Sequence, residues 1–297
     1  MSTQTAQVPH LGGINVAYRA TQYDAAKPTL VLAHSFMNSS NLYKAQFEEQ
    51  SLTSAANLIA VDLLGHGDTR IKSGVEQFTY WDSSIMILQL LDHIKVDKFF
   101  ALGTSQGGWV VARLALLAPS RMQGIIALGT SMDYESQRTR DLGCWDIAPI
   151  GDSLISGWSS TTPTPDFALD DGFLGLLANL GVGPNADSSL VQSMSADTKS
   201  HYTGDAGRKR ARMSAINLRD RDGLHGRLSD ITCPVLWMHG TSDQVYSVAN
   251  AQEEIVLFVN SKEARLETIE DGHHFLSASN PKDVTKEAVS FIKKYMI

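Results

Sequence analysis

Short, nearly unbroken apolar runs recur along the chain and limit its folds more than any other feature. They are TLVLAH (29–34), NLIAVD (57–62), KFFALGT (98–104), MQGIIALGT (122–130), CPVLWMHG (233–240) and ARLETIE (264–270). Runs of this length without polar alternation suit strands covered on both faces. Between them lie helical patterns at about 79–94, 106–118 and 282–295. Strand and helix in alternation predict an α/β fold, with a mostly parallel central sheet and helices on both faces. The 297 residues, 43% hydrophobic, are enough for one large domain or a core carrying an insertion.

One region breaks the rhythm. From about Tyr134 to Asp230 no strong strand pattern occurs, and STTPTPDF and NLGVGPN punctuate short helical stretches such as GFLGLLANL. A structureless loop that long inside a domain is implausible. The expected division is therefore a first core part over 1–133, a helical cap over 134–230, and a second core part over 231–297. The cap then enters before the penultimate core strand.

Charge and targeting signals narrow the function. A formal net charge of −7 opposes nucleic-acid binding. The basic run GRKRAR, with Arg208, Lys209, Arg210 and Arg212, reads as a solvated helix face. The polar start MSTQTAQVPHLGG lacks the apolar centre of a secretory signal, and no stretch approaches the roughly 20 apolar residues of a membrane span. Cys144 and Cys233 form neither a disulfide framework nor a metal cluster. The expectation is a cytoplasmic protein without metal or cofactor, with a small molecule as its partner; oligomeric state is not legible.

Chemistry centres on Gly103-Thr104-Ser105-Gln106-Gly107. An apolar strand runs into this stretch and an amphipathic helix runs out of it. A serine on such a turn is pushed out from the sheet edge, and flanking glycines remove side chains that would clash. A neutral serine needs a base and an oxyanion site to act as a nucleophile. The N–H of Gln106, next after the serine, is one candidate donor. The loop in LVLAHSFMNSSNLY offers a second in the N–H of Phe36, with His34 read as a packing residue at the strand end.

These residues resemble the α/β-hydrolase fold, and the resemblance covers essentially the full chain. His34-Ser35 stands where that family has His-Gly, so a serine replaces the glycine. VDLLGHGDTR resembles the family's turn after the next strand, which implies structural roles for Asp62 and His66. GTSQGGW and LGTSMDYES…LGCWD are further similar to fungal hydrolases, some of secondary-metabolite pathways. The implied activity is that of a serine hydrolase with a Ser-His-Asp triad. In the family's chain order the acid follows the serine, which points to Asp243 in PVLWMHGTSDQVYS, with Asp133 as the rival. The base comes from GHHF. His274 is followed by Phe275 and stands seven residues before Pro281, the proline of an Asn280-Pro281 helix start. His273 competes because it directly follows Gly272. Trp145, Trp158 and Phe173 are candidate walls of an apolar pocket, beside Phe167 and Leu174. The implied substrate is a small-to-medium hydrophobic ester or lactone. A thioester, a carbon–carbon bond beside a ketone, and a catalytically silent ligand-binding role are the alternatives.

Overall fold

The computed structural model describes residues 2–296. An antiparallel hairpin opens the fold, β1 (Gln4–Val8) on β2 (Ile14–Ala20), with Gln4 opposite Tyr18. It is followed by β3 (Thr29–Ala33), the short helices α1 (Lys44–Glu48) and α2 (Gln50–Ala55), β4 (Asn57–Val61), and the two-residue β5 (Arg70–Ile71) on β2. Then α3 (Tyr80–His93), β6 (Phe99–Thr104), α4 (Gln106–Leu117) and β7 (Met122–Leu128) alternate.

Helices alone fill the span before the next strand. They are α5 (Gln137–Asp141), α6 (Ala148–Gly157), α7 (Asp171–Val182), α8 (Ser188–His201) and α9 (Gly204–Arg219). The chain closes with β8 (Val235–Gly240), α10 (Val248–Ile255), β9 (Ala264–Ile269), α11 (Leu276–Ser279) and α12 (Pro281–Tyr295).

The sheet order is β1-β2-β4-β3-β6-β7-β8-β9, parallel from β4 to β9 and antiparallel at β2. Every residue of β3, β4, β6 and β8 is buried, which is why their sequences do not alternate. Successive side chains still point to opposite faces. Phe99 and Ala101 of β6 join Met86, Leu90 and Trp109 on one face, while Phe100 and Leu102 join Leu52, Val284 and Phe291 on the other. The edge strand β9 is half-buried and carries Arg265 and Glu267, with Arg265 also bonded to Glu287 of α12 at 2.9 Å. Charge on an edge blunts its unpaired backbone.

The inserted helices build their own core from Ile147, Leu169, Leu174, Tyr202, Ala211 and Ala215, into which Phe36 and Met37 of the β3 loop reach. The basic run is solvated at Lys209 and partly so at Arg210 and Arg212, but not at Arg208. Arg208 is buried and donates to Thr164 Oγ1 at 2.7 Å, the Trp158 carbonyl at 2.6 Å and Asp205 at 3.0 Å. It holds the segment between α6 and α7 because a buried guanidinium needs every donor it can place.

The loops after β3 and β4 are fixed by buried polar side chains. Asp62 accepts the N–H groups of Ser40 at 2.7 Å and Asp68 at 2.8 Å. His34 Nδ1 donates to the Ser35 carbonyl at 2.8 Å, and its Nε2 accepts from the Leu63 N–H at 2.9 Å. His66 Nδ1 donates to the Leu64 carbonyl at 2.8 Å. Burial holds both imidazoles neutral, His34 down to about 4 and His66 down to about 3.

A pH dependence of stability follows. The unfolded chain protonates these histidines below about pH 6.5, while the folded one does so only near the depressed values, so the unfolded state binds more protons in between. His225, bonded to Glu254, and His201, where Asp197 outweighs burial, are shifted upward, so their contribution is intact throughout that window. Urea unfolding should therefore lose about 1.4 kcal/mol per pH unit for each depressed histidine as pH falls from 6.5 toward 4.5. An unfolding midpoint that does not move over that range would contradict the assignment.

Candidate active site

Ser105 sits between β6 and α4 with φ 53° and ψ −119°, a conformation that costs a non-glycine residue on the order of 1–3 kcal/mol. Neighbours enforce it. The Ser105 N–H donates to the Leu128 carbonyl at 2.9 Å, and its own carbonyl accepts from Gly108 N–H and Thr130 Oγ1, both at 2.8 Å. At Gly107 a Cβ would lie 1.9 Å from the Ala33 carbonyl oxygen, so only glycine lets α4 approach β3 this closely.

Beside it runs one hydrogen-bonded line. His274 Nε2 is 2.9 Å from Ser105 Oγ, and His274 Nδ1 is 2.9 Å from Asp243 Oδ2. With the carboxylate on Nδ1, the ring carries its proton there and turns the Nε2 lone pair to the serine hydroxyl. Asp243 Oδ1 accepts the N–H groups of Val245 at 2.8 Å and Tyr246 at 3.0 Å. Burial raises the Asp243 carboxyl, but His274 and the Tyr246 N–H outweigh it and hold it below the usual carboxylate range.

The rivals lie elsewhere. His273 turns its imidazole against Gly183 at the end of α7. Asp133 accepts from the Tyr134 N–H at 2.9 Å and Ser136 Oγ at 2.7 Å, ahead of α5. Pro281 does start α12, but the Asn280 side chain accepts from Ser279 at 2.7 Å instead of capping the helix.

Among the described residues, neither the Phe36 N–H nor the Gln106 N–H has a hydrogen-bond acceptor. Gln106 is held through its side chain, which receives the Tyr80 hydroxyl at 3.3 Å and meets His66 Nε2 at 3.3 Å. Ser35 needs no left-handed backbone in place of the family's glycine; that conformation falls at Met37, with φ 56°.

A narrow cavity of about 60 Å³ opens over Ser105, walled by Phe36, Trp145, Ile147, Ile150, Leu154, Phe173, Leu176, Leu177, Leu180, Leu218, Val245, Tyr246 and Phe275. Trp145 and Phe173 are thus at the wall. Trp158 is not, contrary to expectation: it packs edge-on behind Phe173, ring centres 5.6 Å apart. Sequence reading also passed over Tyr246, whose ring lies 5.5 Å from that of His274. Its hydroxyl accepts from buried Arg221 at 3.2 Å, and Arg221 is ion-paired with Glu135. The position of Tyr246, three residues after Asp243 in DQVYS, was the available signal. A wider groove of about 1020 Å³ runs between α3 and α9, but its mixed-charge walls hold none of the residues around Ser105. Among the described residues no cluster of three or more His, Cys, Asp or Glu is placed to hold a metal, and no helix is long and apolar enough to cross a membrane.

Comparison with known proteins agrees with this architecture. A family model described as the alpha/beta hydrolase fold matches residues 28–148. An uncharacterized hydrolase of Saccharomyces cerevisiae is 34% identical over 114 residues, 38% of each chain. The 3-oxoadipate enol-lactonase 2 of Acinetobacter baylyi is 23% identical over 265 residues, 86% of this chain and 85% of that one. An esterase from Exiguobacterium antarcticum superposes with a TM-score of 0.79 at 22% identity, over 98% of this chain and 100% of that chain. With its parallel sheet and its serine on the strand-to-helix turn, the chain has the α/β-hydrolase fold.

Proposed function

We propose that this protein cleaves neutral esters or lactones with an apolar acyl part, through an acyl-enzyme on Ser105. The observation that carries the reading is the Ser105–His274–Asp243 line beneath an apolar cavity. His274 Nε2 takes the Ser105 proton as Oγ adds to the carbonyl carbon. The resulting oxyanion lies against the N–H groups of Phe36 and Gln106, and Asp243 stabilises the imidazolium. On collapse, His274 returns the proton to the departing alcohol oxygen. Water, deprotonated by the same nitrogen, then adds to the acyl carbon, and collapse frees the acid and Ser105.

The residues 134–230 act here as a cap that shapes the cavity. Its walls carry no lysine, arginine, aspartate or glutamate among the described residues. The buried guanidinium of Arg221, which touches the wall residue Tyr246, is occupied by Glu135 and Tyr246. A substrate carboxylate would be buried there unpaired, at a cost of several kcal/mol. The narrow bore favours a slender chain over a branched one.

Two sets of measurements test this. Ser105→Ala and His274→Ala should lose nearly all turnover, and Asp243→Asn should lose on the order of 10⁴-fold, since it favours the wrong imidazole tautomer. His273→Ala and Asp133→Asn should each keep at least about a tenth of wild-type activity if neither touches the reacting atoms. An active Ser105→Ala, with contamination excluded, would overturn the nucleophile; the reverse ranking within either pair would move the base or the acid.

For substrate choice, methyl hexanoate and monomethyl adipate present similar chains that differ in a terminal carboxylate. kcat/KM should favour the neutral ester by roughly 100-fold or more, the penalty for an unpaired buried charge. Parity between the two would show that the acyl site tolerates charge and would remove the neutral-substrate assignment.

A further inference from the structure

The loop that carries Phe36 is not held by the sheet alone. We infer that Thr198 and Asp197 of α8 are positioning residues for the Phe36 N–H, so that the helical insertion sets the oxyanion site as well as the cavity. The inference rests on the esterase reading above.

At Met37 the backbone enters the left-handed region, φ 56°, which a side-chain-bearing residue keeps only when its surroundings enforce it. The enforcing contact comes from far along the chain. Thr198 Oγ1 donates to the Met37 carbonyl at 2.9 Å, a buried bond across 161 positions. One turn of loop further on, Asp197 receives two donors, Ser39 Oγ at 2.6 Å and the Asn41 side-chain amide. Within the loop, Asn38 Nδ2 closes onto the Phe36 carbonyl at 3.0 Å. From the opposite side the β4 loop adds the bond from Ser40 N–H to Asp62. The stretch from Phe36 to Asn41 is therefore gripped between Asp62 on the core and Thr198 with Asp197 on the insertion.

Loss of the Thr198 hydroxyl would leave a buried carbonyl unpaired at the one strained residue of the loop. The simplest relief is rotation about Met37, which turns the adjoining peptide and moves Phe36. An N–H stabilises an oxyanion only when aimed at it beforehand, so the error appears in the transition state and not in ground-state binding.

Thr198→Val keeps the shape and removes the donor, whereas Thr198→Ser keeps the donor. Removal of a whole oxyanion donor costs about 10²–10³ in kcat, so displacement of one should cost roughly tenfold. We expect Thr198→Val to lower kcat by about that factor with KM within about twofold, and Thr198→Ser to restore kcat to within about twofold of wild type. Inhibition by a short-chain trifluoromethyl ketone, which forms a tetrahedral adduct on the serine, should weaken by the same factor. If Thr198→Val does not fold, Asp197→Ala carries the same expectation through its two loop contacts. Wild-type kcat in the folded variant, a loss shared equally by Thr198→Ser, or a loss confined to KM would each overturn the inference. Ser105→Ala run alongside separates the causes. An active Ser105→Ala overturns the serine reading itself, while an inactive one beside an unaffected Thr198→Val overturns only this role.

Discussion

The closeness of α4 to the sheet is the constraint on which the rest of the site depends. Gly107 rests on the Ala33 carbonyl oxygen, nearer than any side chain would permit, and this contact leaves Ser105 no relaxed backbone to adopt. Bonds from Leu128, Gly108 and Thr130 hold the residue in that state, so the strain is met by the whole β6–α4–β7 unit. A hydroxyl so placed stands over the N-terminus of α4, where the exposed N–H groups favour negative charge. The position of the hydroxyl and the exposed helix N-terminus beneath it thus share one origin in packing.

The buried polar groups around this unit follow a single logic. His34, His66 and Asp62 each have their hydrogen-bonding atoms engaged with loop backbone or with Gln106. Buried groups so matched hold their loops in one arrangement, because any alternative leaves them unpaired in a medium that penalises it. Arg221 is matched only in part: its terminal nitrogens meet Glu135, Tyr246 and the Leu218 carbonyl, while its buried Nε has no partner.

Much of this was legible in the sequence because its causes are local. Continuous apolar runs marked β3, β4 and β6 to β8, whereas β9, expected to be covered on both faces, is a half-buried edge with Arg265 and Glu267 breaking its run; the glycines about Ser105 marked the sharp turn. The hairpin β1–β2 was not legible. Polar Gln4, Thr5 and Gln7 alternate with buried Ala6 and Val8 over too short a span to stand out. The choice between His273 and His274 rested on the spacing to Pro281, and the geometry places only His274 in the line with Ser105 and Asp243. What the sequence hid was long-range. Nothing local to Trp158 tells that Phe173 shields it from the cavity, and nothing local to Thr198 tells that it reaches Met37. Arg208 in its basic run looked like surface because its partners at Trp158 and Thr164 lie far away in the chain.

The segment after β9 has a further consequence for how the molecule can change over evolution or in the laboratory. His273 rests on Gly183, and the Phe275 N–H donates to the Gly181 carbonyl at 2.7 Å, so the residues flanking His274 are fastened to the last turn of α7. That helix also supplies Phe173, Leu176, Leu177 and Leu180 to the cavity wall. The room in the cavity and the setting of the imidazole therefore both depend on α7. A change in α7 that widens the cavity also bears on the anchoring of the imidazole. Ile150 and Leu154 of α6, by contrast, face the cavity from a helix with no hydrogen bond to that loop among the described residues.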